Sequence, residues 1–159
     1  MNNRGFQKIS LEQWTRDTAD MRVINYDGIV LPKRATKMSA GYDLYSPMSI
    51  SLLPGEYINV PLGIKAYMMP DEVLMIYPRS GHGFKFFLRL ANTTGIIDSD
   101  YYGNSKNEGH IWCKVRNEGE SHFVLDAGTA IAQAVFSKYL ISDDDNSDTI
   151  RSGGFGPTG

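Results

Sequence analysis

The chain has 159 residues, enough for one domain with a sizeable core, and a formal net charge of −2 that excludes a nucleic-acid binder working through a broad basic surface. A single cysteine, Cys113, excludes an intrachain disulfide and fits a reducing compartment. The polar N-terminus has no signal-like apolar core and no apolar run approaches membrane-spanning length, so a soluble, cytoplasmic protein away from membranes is expected.

In chain order, Ser10 to Gln13 reads S-L-E-Q, a capping box that predicts a short helix from about Leu11. Phe6, Ile9 and Trp14 would dock this segment, residues 1–20, on the body as an appendage. From Met21 the signal turns to β. MRVINY reads as a strand up to the turn Asp27-Gly28, and GIVLP as a second that ends at Pro32. Residues 33–46 read as a loop. Residues 48–70 give several short runs cut by Pro54-Gly55, Pro61 and Gly63. EVLMIYP is a compact strand stopped by Pro78, PRSGHG a turn, and FKFFLRLA another strand. A Gly-bounded hairpin follows over 92–104, then a loop, SKNEGH. HIWCKVRN and HFVLD are strands about the turn Glu118-Gly119, with Cys113 a core or interface side chain. TAIAQAVFSKYL is the longest apolar run, and its β-branched and aromatic content favours strand over helix. An acidic spacer and the glycine-rich tail RSGGFGPTG close the chain. Many short strands with Gly/Pro turns predict an all-β closed sandwich or barrel over residues 21–141, with a flexible linker and C-terminal arm over 142–159.

Five glycine-associated polar clusters interrupt the strands, at 40–46, 78–83, 92–104, 128–133 and 151–159. In the third, period-2 alternation puts Asp98 and Asp100 on one face and Tyr101 on the other, unless the turn intervenes. A carboxylate beside an aromatic ring there would suit a planar ligand and an activated water; taken alone, the segment reads as a surface hairpin. Arg79, Ser80 and Gly81 combine a guanidinium, a hydroxyl and an exposed N–H, groups that suit phosphate oxygens. The tail adds Arg151 and Phe155, which would suit phosphate and a stacked base, in a segment that otherwise reads as a disordered terminus. No Cys/His pair has zinc-ligand spacing, no Walker-type phosphate loop occurs, and no Ser-His-Asp signature stands out; His82 reads as an exposed turn neighbour. What remains is carboxylate-driven attack of water on a phosphate, with magnesium held mainly by the ligand.

Taken together and in this order, the five clusters resemble the five motifs of the homotrimeric dUTPases, over roughly residues 21–159. PRSGHGFKFFLRLANTTGIIDSDYYGN carries most of the resemblance, with AGYDL and GFG-x-TG at the two ends. It implies a jelly-roll subunit (a distorted β-barrel), a homotrimer with active sites at subunit interfaces, and hydrolysis of dUTP to dUMP and pyrophosphate with Mg²⁺ on the triphosphate. By position, Asp98 would be the general base and Tyr101 would pack under the deoxyribose. Asn92, Gly95, Ile96 and Ile97 would read uracil. Arg79, Ser80, Gly81 and Gln133 would hold the phosphates, and Asp43 would support the phosphate and metal region through water or Arg79. Arg151 would meet the γ-phosphate, Phe155 would stack on uracil, and Gly156 and Thr158 would help close the lid.

The chain departs from the family pattern at several points. Ala130 stands where an Arg usually precedes Ile-Ala-Gln, and Phe86 and Phe87 replace residues that are often smaller or polar. The tail motif is shortened and carries Pro157, SKNEGH reads as an insertion, and the segment before Met21 is extra. Two other readings compete: a dCTP deaminase on the related fold, and a regulatory protein that engages a partner through the N-terminal segment or the SKNEGH loop.

Overall fold

The computed structural model describes residues 2–149. Its strands are β1 (Gly5–Lys8), β2 (Lys33–Arg34), β3 (Tyr42–Tyr45), β4 (Ile50–Leu52), β5 (Tyr57–Pro61), β6 (Ile64–Tyr67), β7 (Glu72–Pro78), β8 (Leu88–Leu90), β9 (Gly95–Asp98), β10 (Trp112–Asn117), β11 (Phe123–Leu125) and β12 (Ala130–Lys138). Two short helices, α1 (Leu11–Asp17) and α2 (Ser80–Phe86), join them. Neither is long and apolar enough to cross a membrane. The all-β expectation holds. Among the described residues the strands form four antiparallel sheets, and no single closed barrel. The five-stranded sheet, in the order β2-β3-β12-β7-β9, carries most of the predicted site.

Alternation explains the best-predicted elements. Along β7, Leu74 and Ile76 point inward while Val73, Met75 and Tyr77 are half-buried, which is period 2 written directly in EVLMIYP. β12 lies between β3 and β7, and its Ala132 and Ala134 are fully buried, so small side chains let neighbouring layers close over it. A register shift between Ala130 and Ala132 turns both Ala130 and Ile131 inward.

Several predicted elements differ. GIVLP forms no strand, and residues 92–104 hold a single strand, β9, which pairs with β7 and runs into a 3-10 turn rather than closing a hairpin. Residues 21–25 form no strand; Ile24 N–H donates to Pro47 O at 2.7 Å, and a 3-10 turn follows at Tyr26–Gly28. Residues 33–46, read as a loop, contain β2 and β3. Gly41 and Asp43 looked like turn residues, yet Leu44 is fully buried and Asp43 faces a wet groove on the same strand. The PRSGHG turn and the start of the FKFFLRLA strand are instead α2. Two glycines make this a weak helix by propensity. It holds because Gly83 N–H donates to Arg79 O at 2.9 Å and because Phe86 and His82 both pack edge-on against buried Phe123. Phe87 ends it in the left-handed region, φ 51°.

The N-terminal segment docks through Phe6, Ile9 and Trp14, and it does more. β1 pairs with β6 along its whole length, and Ile9 and Trp14 enter the main core. The capping box is half made. Ser10 Oγ accepts from Gln13 N–H at 3.1 Å, but Ser10 N–H donates to Glu108 from the SKNEGH loop rather than to Gln13. That loop is therefore fastened to α1.

Candidate active site

Two groups of predicted residues stand at opposite ends of the five-stranded sheet. The first gathers where β3, β12 and β7 run side by side. Asp43 lies opposite Gln133, which lies opposite Tyr77. The chain leaves β7 at Pro78, so Arg79 emerges beside this row. Its Nε lies 3.0 Å from Asp43 Oδ1 in an ion pair, and the two side chains keep 37% and 20% of their exposure. A guanidinium so held is fixed in direction and still open to an anion. Gln133 Nε2 donates to Pro78 O at 3.1 Å. Gly41 leaves it room, because a Cβ there would lie 2.5 Å from Gln133 Oε1 and push the amide aside. Together with Ser80 and Gly41 these residues line an open cavity of about 450 Å³. Gly81 is exposed, and a Cβ there would meet nothing within 4 Å.

His82 is half-buried rather than exposed. Burial, with Arg79 nearby, holds its pKa below the ordinary 6.5, so it is neutral at physiological pH. Its Nδ1 has no partner among the described residues.

The second group is carried by β9, the last strand of the sheet. Gly95 pairs with Ile76, Ile97 with Leu74 and Asp98 with Val73. Gly95 and Ile97 face inward, while Ile96, 56% exposed, and Asp98 share the outer face. The glycine lets β9 sit tightly, since a Cβ would come within 3.1 Å of the Ile76 Cβ. Asn92, Gly95, Ile96 and Ile97 line a cavity of about 760 Å³ with an apolar floor that includes Leu90 and Trp112. Beyond β9 the turn does intervene: Ser99–Tyr101 is 3-10, so strand alternation ends at Asp98. Asp98 and Asp100 are exposed, and the Tyr101 ring is only 5% exposed.

The register fixes how far apart these groups lie. Asp98 stands opposite Val73, at the start of β7, and Arg79 follows its end. At a rise of about 3.3 Å per residue, the run from Val73 to Arg79 covers about 20 Å. Within one chain, the carboxylate and the guanidinium cannot meet the same phosphorus.

A family model described as dUTPase matches residues 27–159. The chain belongs to the dUTPase family. It is 44% identical over 134 residues to the deoxyuridine 5′-triphosphate nucleotidohydrolase of Lactococcus lactis, covering 83% of this chain and 89% of that one. The crystal structure of a dUTPase from Streptococcus mutans is similar with a TM-score of 0.71 at 38% identity, over 87% of this chain and 98% of the other. A mutant dUTPase of phage phi11 of S. aureus, described with a coordinated structural Mg(II) ion, shares the fold with a TM-score of 0.66 at 17% identity, over 93% and 98% of the two chains.

In this dUTPase the structure brings together Asp43, Arg79, Ser80 and Gln133 in one cavity, and Asn92, Gly95, Ile96 and Ile97 in the other. Arg151, Phe155, Gly156 and Thr158 lie outside the described residues. Sequence reasoning missed the residues behind Tyr101. Asn107 and Asp17 line the larger cavity, and neither stood out from a polar loop or a short amphipathic helix. Among the described residues no group of three or more Asp, Glu, His or Cys gathers to hold a metal. Asp43 keeps one oxygen on Arg79 and part of its surface open to water, which fits an outer contact to a cation carried by phosphate.

Proposed function

We infer that this chain is a dUTP diphosphatase, which hydrolyses dUTP to dUMP and pyrophosphate, and that its working site combines the phosphate groove of one subunit with the β9 segment of another. The separation of about 20 Å between Asp98 and Arg79 carries this reading. A homotrimer with interfacial sites, as the family resemblance implies, would bring the two halves together.

In that site the uracil lies along the open edge of β9, between Asn92 and Ile97. Backbone donors and acceptors there would accept uracil and reject cytosine, whose 4-position reverses the pattern. The Tyr101 ring closes the space a 2′-hydroxyl would need. Asp98 orients a water and takes its proton as the oxygen attacks the α-phosphorus in line, and pyrophosphate leaves from the opposite side. Arg79, fixed by Asp43, with Ser80, Gly81 and Gln133, neutralises and orients the phosphates. Mg²⁺ carried by the triphosphate, with Asp43 as a partner through water, would supply further charge neutralisation. Residues 142–159 form a linker and lid, in which Arg151 reaches the γ-phosphate, Phe155 stacks on the base, and Gly156 and Thr158 help it close. The cytoplasm, where deoxynucleotides are handled and Cys113 stays reduced, is the setting.

Hydrolysis in ¹⁸O-water tests this chemistry. Attack at the α-phosphorus puts the label in dUMP, and label in pyrophosphate would refute it. Asp98→Asn should abolish turnover while dUTP still binds, and full turnover in that variant would remove Asp98 as the base.

A further inference from the structure

Tyr101 is held from behind by the loop that reads as an insertion after the hairpin. Its hydroxyl donates to His110 O at 2.9 Å and accepts from Asn107 Nδ2 at 2.9 Å. The amide of Asn107 has no freedom to turn over. Its Oδ1 accepts from Asn104 Nδ2 at 2.7 Å and from Gly109 N–H at 3.1 Å, so Nδ2 must face the tyrosine. Asn104 Nδ2 also donates to Tyr101 O at 2.8 Å, so one loop grips both the backbone and the hydroxyl of the same residue. Gly109 completes the fit: a Cβ there would lie 2.6 Å from Tyr101 O. The carbonyl acceptor belongs to His110, whose ring is fully buried and fixed at both nitrogens. Its Nε2 accepts from Gly63 N–H at 2.9 Å, so the proton sits on Nδ1 and is donated to Asp17 Oδ2 at 2.6 Å.

We propose that Asn107 is a positioning residue for the sugar-discriminating ring: its amide, locked by Asn104 and Gly109, fixes the Tyr101 hydroxyl and so sets how closely the ring approaches C2′ of the nucleotide. The inference rests on Tyr101 facing the deoxyribose. The hydroxyl's one proton is spent on His110 O, so the ring meets the sugar through a face or edge, and its discrimination depends on where it stands. Rejecting one oxygen atom is a steric test, and a ring free to shift by a fraction of an ångström passes what a fixed ring refuses. Asn107 lines the rim of the same cavity, but its amide is committed to Tyr101, Asn104 and Gly109, and it acts on the sugar through Tyr101. Asp17 and His110 extend the same support to α1, which gives the extra N-terminal segment a place in it.

The test is the ratio of kcat/KM for dUTP to that for UTP in four proteins: wild type, Asn107→Ala, Tyr101→Phe and the double variant. Tyr101→Ala serves as the control for the gate itself. Tyr101→Phe removes the same hydrogen bond from the other side, together with the one to His110 O, and leaves the ring in place, so the reading does not depend on Asn107→Ala folding well. Each single variant should lower the ratio about five- to tenfold, as loss of one buried hydrogen bond would. The double variant should fall no further than Tyr101→Phe, because the bond to Asn107 is already absent there. Additive losses, or wild-type selectivity in Asn107→Ala and Tyr101→Phe while Tyr101→Ala loses it, would overturn the role of Asn107 and leave the gate standing. Unchanged UTP rejection in Tyr101→Ala would instead refute the gate, and this inference with it.

Discussion

Two inactive variants should restore each other if the active site is shared between subunits. Asp98→Asn lacks the base on β9, and Arg79→Ala lacks the guanidinium at the far end of β7, about 20 Å away along the strand. Each alone loses turnover. In a cyclic assembly every site takes its phosphate groove from one chain and its β9 segment from a neighbour. After equal amounts are unfolded together and reassembled, a site is native when the groove chain is the Asp98→Asn variant and the chain supplying β9 is the Arg79→Ala variant. Each condition holds half the time, so about a quarter of wild-type activity should return. Both variants keep residues 142–159 unchanged, so the proposed lid does not limit the readout. The assay is pyrophosphate release from dUTP, with the separately reassembled variants as blanks. Activity no greater than the sum of those blanks would mean that one chain holds the whole site and that the separation across β7 has been misread.

Two further outcomes follow from buried groups. Burial holds the pKa of His110 below its ordinary 6.5, against the opposing pull of Asp17 and Glu108. An unfolded chain therefore takes up this proton first, and the stability present above pH 6.5 should be lost as pH falls through and below that value. The slope from this group is at most about 1.4 kcal/mol per pH unit. Thermal melts from pH 8 to pH 5 should show it, and His110→Gln, with no titrating ring, should flatten the curve; an unchanged curve would remove His110 as its source. The thiol of Cys113 is fully buried and its pKa pushed up to about 12, so it should react with a disulfide reagent only on unfolding. Rapid labelling of the native protein would show that β10 opens locally.

The parts of the fold legible in the sequence are those whose physics is local. β7 announces itself through alternation, and β12 through a long apolar run, because no residue of β7 and only the last of β12 is exposed. β3 was hidden because Gly41 and Asp43 are turn residues by habit; Gly41 is there for the side chain of Gln133, which lies far along the chain. α2 was hidden for the opposite reason, since nothing in SGHGFKF favours a helix apart from Phe123, which buries its aromatic face. The site divided similarly. Asp98, Arg79 and Gln133 sit in motifs that can be read in order, but that Asp98 and Arg79 are far apart is a matter of register. Asn107 looks like any polar loop residue until Tyr101 stands beside it.

Steady-state pyrophosphate release with dUTP, UTP, dTTP and dCTP in parallel, with ammonia followed for dCTP, tests the central claim most directly. The site described here should turn over dUTP with Mg²⁺ present and leave the other three nearly untouched. Ammonia release from dCTP, or turnover of UTP or dTTP at rates comparable with dUTP, would contradict it.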